Sequence, residues 1–471
     1  MNIPLHRLRC SGIALLLLCF TTPSLGAEGS VLFENVYVWD GVSSTRSSLT
    51  NVLIEDDSIS AIGIDVSDTS VYELIDGGGR TLMPGLIDSH VHLTHTFAGP
   101  GVQGLEMMTW EEIGAVAVAS AREHLMNGFT TVRDMGGMST GFKRHIDSGL
   151  LVGPRIYAAG GYITQTGGHG DFRLRSQPNS AYSGVQHSNL ERLGIARFAD
   201  GVPEMLTAVR ENFAGGAAYI KIHAGGAASS EKDPLHTLQY TPEELEAANR
   251  AVENWDSYWT VHSYYPHSTN QALDAGARCI DHGQLVDDAT MARIAREGVF
   301  LSANLSGMSE DLFKHPYYGN PANPAHHKAR QFVDGSKDFV RLVKEHKPKR
   351  VFNSDVVFSS REFFRQHMDY EKYISGQWFG IHDTLVGMTS RAGELARLTG
   401  KLNPYPKKLG VIEPGAYADI LLVDGNPLED LAAIGAHPGW FEAPVRSEDV
   451  VPIRLIMKGG VVYKNTLPRA P

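Results

Sequence analysis

Residues Asp88-Ser89-His90-Val91-His92-Leu93 end an apolar run with two histidines one position apart. On a strand, alternate side chains share a face, so both imidazoles leave the sheet on one side. Such a pair either binds a metal ion or simply closes a buried strand. Four later apolar runs carry further polar residues: Lys221 in AAYIKIHA, His262 in TVHSYY, His282 in IDHG and Asp355 in FNSD. Lys221 alternates with Tyr219 and His223. Each has a structural explanation when taken alone. The lysine can extend its amine to water, the histidines can be satisfied core residues, and Asp355 can cap a helix. Gathered at one place they need something to offset their desolvation. Neutral imidazoles and carboxylates are the ligands that Zn²⁺ and related divalent ions take. A cationic lysine repels a metal, so Lys221 fits such a site only as a neutral amine or as a carbamate formed with CO₂.

The elements that must position these residues are legible in the chain's texture. Residues 31–80 are short β-rich runs divided by turn residues. From Thr81 onward eight apolar runs alternate with helix-like intervals: LMPGLIDSHVHL, GFTTVRDMG, PRIYAAGGYI, AAYIKIHAGG, YWTVHSYY, ARCIDHG, VFLSANL and KRVFNSDVV. TPEELEAANRAVEN opens with a capping box, Thr241 and Glu244, and has Pro242 at its first helical position. The alternation predicts an α/β chain, a parallel (β/α)₈ TIM barrel, with a doubly wound sheet as second choice. No G-x-G-x-x-G follows the first strand, which lowers that second choice. Residues 27–80 and 408–471 share a β texture and predict a small composite β-sandwich domain flanking a barrel over 81–407. An insertion from Ser306 to about Ala329 follows the seventh run. Its histidines, His315, His326 and His327, read as loop residues.

In a barrel, chemistry gathers at the C-terminal ends of the strands, where these polar residues fall. Residues 1–26 have the pattern of a signal peptide: Arg7 and Arg9, the apolar core IALLLLCF, then small residues. Its removal shortens the 471-residue chain to 445, takes two arginines and no acid, and moves the formal charge from −11 to −13. This predicts export, periplasmic or secreted, with no membrane span in the remainder. The acidity argues against nucleic acid or an anionic membrane as partner. Cys10 and Cys19 leave with the signal, so Cys279 stands without a disulfide partner.

The ordered motifs, GLIDSHVHL, YIKIHAGG, VHSYY, IDHG and NSD, closed by GVIEPGAYADILLVDGNPL, resemble the amidohydrolase superfamily. The resemblance is closest to its binuclear, carboxylated-lysine members, the Xaa-Pro dipeptidase-like and imidazolonepropionase-like subgroup with ochratoxinase-like relatives. It implies that His90, His92 and Asp355 bind the more buried of two divalent ions, His262 and His282 the more exposed, and that carboxylated Lys221 bridges them. The ions are expected to be zinc, though Mn²⁺ and Co²⁺ share these ligands. Two ions about 3.5–4 Å apart can hold a bridging hydroxide at neutral pH. Asp355 would take its proton and pass it to the leaving nitrogen. TGGHGD, with His169, resembles the subgroup motif whose histidine donates to the substrate carbonyl. Tyr264 is similar to a tyrosine that holds a terminal carboxylate, and it also suits an aromatic packed on the insertion. Asn353-Ser354-Asp355 departs from the Gly-Thr-Asp of many relatives. The glutamate of the deaminase branch is missing after His262, which counts against deamination.

The expected function is a metal-dependent hydrolase of an amide next to a free carboxylate, a dipeptidase or N-acyl-amino-acid hydrolase. Cyclic-amide, lactone or imidazolone hydrolysis is the competing chemistry, and a metal-binding scaffold is the non-enzymatic one. Asp171, Glu231 and Asp233 are candidates for selecting a basic side chain. Homo-oligomerisation is compatible with the sequence.

Overall fold

A computed structural model describes residues 29–64, 69, 72–99, 101–137, 139–186, 188–230, 232–444, 446, 447 and 449–468. The signal peptide expected at 1–26 lies outside them. Only Gly85 separates the long strand Glu73–Pro84 from Leu86–Val91, the first strand to carry site residues. A Cβ on Gly85 would lie 2.0 Å from Thr130 Oγ1, so glycine is what lets the two strands pass.

Leu86–Val91, Phe129–Asp134 and Arg155–Ala158 form one parallel ladder. A second ladder runs Lys349–Val351, Phe300–Ser302, Cys279–His282, Trp259–Ser263, Ile220–His223, Tyr162–Thr164 and Ala196–Phe198. Most of these strands are buried along their length, as expected of parallel strands covered by helices on their outer face. The third run, expected as one strand, is two. Gly160 adopts φ +74°, and Asn212 on helix Val202–Ala214 bonds both polar groups of Gly161 in place of a ladder: Gly161 N–H donates to Oδ1 at 3.1 Å and Nδ2 donates to the carbonyl at 2.6 Å. The break lets one half pair with Phe129–Asp134 and the other with Ile220–His223. Beyond the last strand, Ser89 N–H donates to Phe352 O at 3.0 Å and Asp355 N–H to His90 O at 3.1 Å, which ties the last strand to the first.

Helices fill the intervals. Trp110–Met126 and Pro242–Glu253 both open with capping boxes, Thr109 with Glu112 and Thr241 with Glu244. The insertion consists of short turns, then joins a helix that starts earlier than its sequence suggests. Asn323 caps Pro324–His346, so the insertion's last residues are its first turn and a half. Glu371 fixes the insertion's entry by accepting the Leu305 and Ser306 N–H groups, both at 2.7 Å.

Strands from both chain ends join in one seven-stranded sheet: Val461–Asn465, Ile453–Lys458, Ile420–Val423, Glu73–Pro84, Ser30–Val38, Leu49–Glu55 and Ser58–Ile62. The sheet curls back on itself: Ser58 on its last strand bridges Tyr417, just before Ile420–Val423. Glu73–Pro84 is long enough to pair along one edge with Ser30–Val38 and along the other with Ile420–Val423, so the two ends extend a single sheet. Its buried side chains, among them Phe33, Val52, Ile75, Leu422 and Leu455, form a core of their own. Arg155 links it to the parallel strands through Asp419, at 2.8 Å, and through the Tyr417 ring. Among the described residues no helix is long and apolar enough to cross a membrane.

Candidate metal and catalytic site

The C-terminal ends of the parallel strands open into a cleft. The eight residues expected as metal ligands or in contact with the scissile amide and its carboxylate line it: His90, His92, His169, Lys221, His262, Tyr264, His282 and Asp355. Strand register explains the gathering. His223 stands beside His262 and His262 beside Asp281, with Lys221 beside Thr260 one row below. Residues in one row of a parallel sheet share a face.

His90, His92 and Asp355 offer ligand atoms that all lie within 4.8 Å of one another. Asp355 Oδ1 is 3.5 Å from His90 Nε2 and 3.8 Å from His92 Nε2. Three converging nitrogen and oxygen donors, two of them imidazole, fit a divalent ion. His262 and His282 stand ring to ring at 4.5 Å, and His282 is 5.1 Å from His90. Burial, reinforced by neighbouring cationic and imidazole groups, holds His92, His262 and His282 well below the usual imidazole pKa. They are therefore neutral, the ligand form. Burial also raises the Asp355 carboxyl, against the pull of His90 and Lys221; a bound cation would draw it back down.

Asp281 is the residue that sequence reasoning missed. Fully buried, it accepts from Lys221 Nζ at 2.6 Å and from Thr260 Oγ1 at 2.6 Å, and it lies 3.3 Å from His90 Nδ1. Burial alone would raise its pKa, but Lys221 and His90 hold it well below the usual carboxylate range. Burial lowers the Lys221 amine and Asp281 opposes that. A carboxylate behind a ligating histidine fixes its ring and tautomer. The signal was present in Ile280-Asp281-His282, but strict alternation allows only one of two adjacent residues to face inward. His282 evades it with φ +79°, a left-handed conformation that turns its ring back into the cleft. Asp355 is similarly left-handed, at φ +47°. Such backbone strain concentrates where a site requires it.

His169 stacks on His262 at 4.2 Å and lies 4.6 Å from His223. Burial first, then the Lys221 and Lys328 charges, push it down to about 3, so it is neutral and able to donate one N–H. Its loop is tightly fitted. Gln239 Oε1 accepts the His169 N–H at 3.1 Å, and a Cβ on Gly170 would meet Tyr162 at 2.7 Å and His223 at 2.9 Å. Tyr264 is 4.9 Å from both His262 and His282, and 4.6 Å from Phe332 on the helix that follows the insertion. It both faces the cleft and packs outward.

Two acids considered for side-chain selection are otherwise engaged. Asp171 is paired with Arg173 at 2.6 Å and Lys232 at 2.9 Å, and Asp233 accepts from Ala227 N–H and Gln239 through Oδ2, while its Oδ1 is buried without a hydrogen-bond partner. Glu231 lies outside the described residues. The loop carrying Asp233 is held by Lys328, whose amine donates to the carbonyls of Ala227, Ser230 and Asp233 at 2.6–2.8 Å. His315 and His326 serve locally, the first as a cap for Tyr317 N–H and the second against Tyr318 O.

Comparison with known proteins agrees with this geometry. Residues 81–325 match the model of the amidohydrolase family. The ochratoxinase of Aspergillus niger is 26% identical over 397 residues, 82% of this chain and 76% of that protein. A prolidase crystallised with N-methylphosphonate-L-proline is 27% identical with a TM-score of 0.80, covering 93% of this chain and all of that one. A Xaa-Pro dipeptidase with methionine bound in its active site is 25% identical with a TM-score of 0.77 over the same shares. The chain therefore belongs to the amidohydrolase family and is a hydrolase.

Proposed function

We propose that this chain is a metal-dependent amidohydrolase that cleaves an amide bond next to a free carboxylate, as a dipeptidase or N-acyl-amino-acid hydrolase. The observation that carries the reading is the convergence of His90, His92 and Asp355 beside His262, His282 and a buried, carboxylate-paired lysine. In this reading the parallel strands close into a (β/α)₈ barrel over 81–407, with 27–80 and 408–471 as one accessory domain. His90, His92 and Asp355 would hold one divalent ion and His262 and His282 a second, with Lys221, carboxylated by CO₂, as a further ligand. Ions bound there, zinc by preference, supply Lewis acidity and make a water nucleophilic at neutral pH.

The chain's own residues do the rest. Asp281 orients His90 and holds Lys221 Nζ. Neutral His169 donates its N–H to the scissile carbonyl oxygen as negative charge develops there. Asp355, at the centre of the cleft, carries a proton toward the leaving nitrogen. The Tyr264 hydroxyl orients the terminal carboxylate. That two solved relatives are a prolidase bound to a phosphonate derivative of proline and a Xaa-Pro dipeptidase supports a substrate with a free carboxylate beside the scissile nitrogen. The leader expected at residues 1–26 would place the activity outside the cytoplasm.

The test is amino-acid release from a panel of dipeptides and N-acyl amino acids, using protein reconstituted with Zn²⁺ and bicarbonate. Release from a cluster of C-terminal residues, abolished by Asp355→Asn, is expected. Tyr264→Phe should lower kcat/KM on these substrates about 10- to 100-fold, the worth of a hydrogen bond to a charged group. It should leave any lactone hydrolysis nearly unchanged. No release from any member by metal-loaded protein would overturn the reading in favour of cyclic amides or lactones.

A further inference from the structure

The run GFTTVRDMG forms a strand, Phe129–Asp134, that is buried at every position, and its arginine is buried with it. Arg133 is wholly withdrawn from solvent and does not line the cleft. Its Nη1 donates to Ser89 O at 2.9 Å, the carbonyl just before His90. The guanidinium lies 4.8 Å from the Tyr219 ring and 5.7 Å from the Tyr258 ring. Its Nε and Nη2 make no hydrogen bond. A guanidinium stays charged throughout the pH range of a folded protein. Buried without an ion-pair partner, such a charge is strongly disfavoured, and aromatic faces offset only part of the cost. An apolar side chain of similar volume would serve packing as well or better. Packing therefore does not account for an arginine here.

The neighbouring carboxylate does. Cys279 Sγ lies 4.0 Å from Arg133 Nη1 and 4.0 Å from Asp281 Oδ1, so the guanidinium and the carboxylate face each other across one thiol. The other oxygen of Asp281 is taken by Lys221 Nζ and Thr260 Oγ1, each at 2.6 Å. While Lys221 is an ammonium, Asp281 has its counterion and Arg133 is a cation in excess. Carboxylation reverses this balance. Two protons leave the ammonium for solvent, the Nζ lone pair bonds the carbon of CO₂, and one C=O electron pair becomes carboxylate charge. A cation has then become an anion, and Asp281 stands buried beside it without the partner it had. Ions held by the cleft histidines would answer that charge from above. On the far side of Asp281 the cation present is Arg133.

We propose that Arg133 is the counterion of Asp281 in the carboxylated state, a positioning residue that favours the carbamate of Lys221 without touching substrate. This rests on the carboxylated-lysine reading above and goes beyond it.

The experiment titrates zinc-loaded protein with ¹³C-bicarbonate and follows the carbamate resonance. Arg133→Gln keeps a donor for Ser89 O and loses the charge; Arg133→Lys keeps the charge and loses the planar fork. A unit charge about 8 Å away, at an effective dielectric of about 20, shifts an equilibrium about 30-fold. Half-saturating bicarbonate is therefore expected to rise about 10- to 30-fold in Arg133→Gln and to stay within about 3-fold of the parent in Arg133→Lys. The melting temperature of metal-free Arg133→Gln should hold or rise, because an unpaired charge has left the core. Parent-like carbamate formation in Arg133→Gln would overturn the counterion role while leaving the carboxylated lysine intact. Equal losses in both variants, or a marked fall in melting temperature in Arg133→Gln, would overturn it in favour of a structural role. Arg133→Met is the second neutral variant; if neither neutral variant folds, the residue supports the fold and the proposal fails. No carbamate in the parent itself would overturn the carboxylated-lysine reading, and this inference with it.

Discussion

At the scale of single residues, the site's most informative member is the one that contacts no substrate. Asp281 touches Lys221, Thr260 and His90 at once. It therefore couples the expected bridging residue to an expected ligand. Replacing Asp281 with Asn keeps the shape but removes the charge. Apparent metal affinity is then expected to fall about 10- to 100-fold, the usual cost of losing a carboxylate behind a ligating histidine. The check is a competition titration with a chelating dye, together with the carbamate signal of ¹³C-bicarbonate-treated protein. Wild-type affinity with an undiminished carbamate signal would show that Asp281 only fills space. Six of the residues that line the cleft, His90, His92, Lys221, His262, His282 and Asp355, were legible because strand ends announce themselves as short apolar runs that carry polar residues, whereas His169 and Tyr264 came only through the family resemblance. Asp281 was not legible, because its inward direction depends on the left-handed turn at His282, which no periodicity announces.

At the scale of elements, the loop carrying His169 is held by hydrogen bonds, among them Gly167 N–H to Asp171 Oδ2 at 2.9 Å and Gly170 N–H to Thr164 Oγ1 at 3.1 Å, and by close contact. Gly170 passes between Tyr162 and His223 where a methyl group does not fit. Gly170→Ala should displace His169 while leaving the strands intact. Since misplacing a catalytic group by about 1 Å can cost roughly 100-fold, kcat/KM is expected to drop about 10- to 100-fold with far-ultraviolet circular dichroism unchanged. Activity within twofold of the parent would show that His169 does not need its present position. The third strand teaches the limit of texture. PRIYAAGGYI reads as one apolar run, yet Gly160, Gly161 and the distant Asn212 divide it into two strands serving different neighbours. The short β strands of the two chain ends were likewise legible as strands. That they join through hydrogen bonds into one continuous sheet follows from the length of Glu73–Pro84, which sequence alternation does not mark.

At the scale of the whole molecule, burial of so many neutral imidazoles links folding to pH. Burial lowers His95 and His169 to about 3 and His124 and His367 to about 4, far under the value of about 6.5 in an unfolded chain. Between pH 6.5 and 4 the unfolded state therefore binds more protons at these positions. Their contribution is full above pH 6.5 and is lost as pH falls. Asp88, Asp134 and Glu371, raised by burial to about 7, act in the opposite direction over the same window. The histidines prevail, because His92, His223, His262 and His282 are also held low. The melting temperature of metal-free protein should thus decline from pH 7 to pH 5 in a differential scanning series. A rise over that interval would mean that the buried carboxyls dominate.

The most direct measurement is of amide hydrolysis by one preparation before chelation, after exhaustive chelation, and after return of Zn²⁺ with bicarbonate, with metal content determined at each stage. Activity should fall below about 1% when metal is removed and recover as about two ions per chain are restored. Full activity in protein shown to be metal-free would contradict the assignment of His90, His92 and Asp355 to a metal, and with it the proposed chemistry.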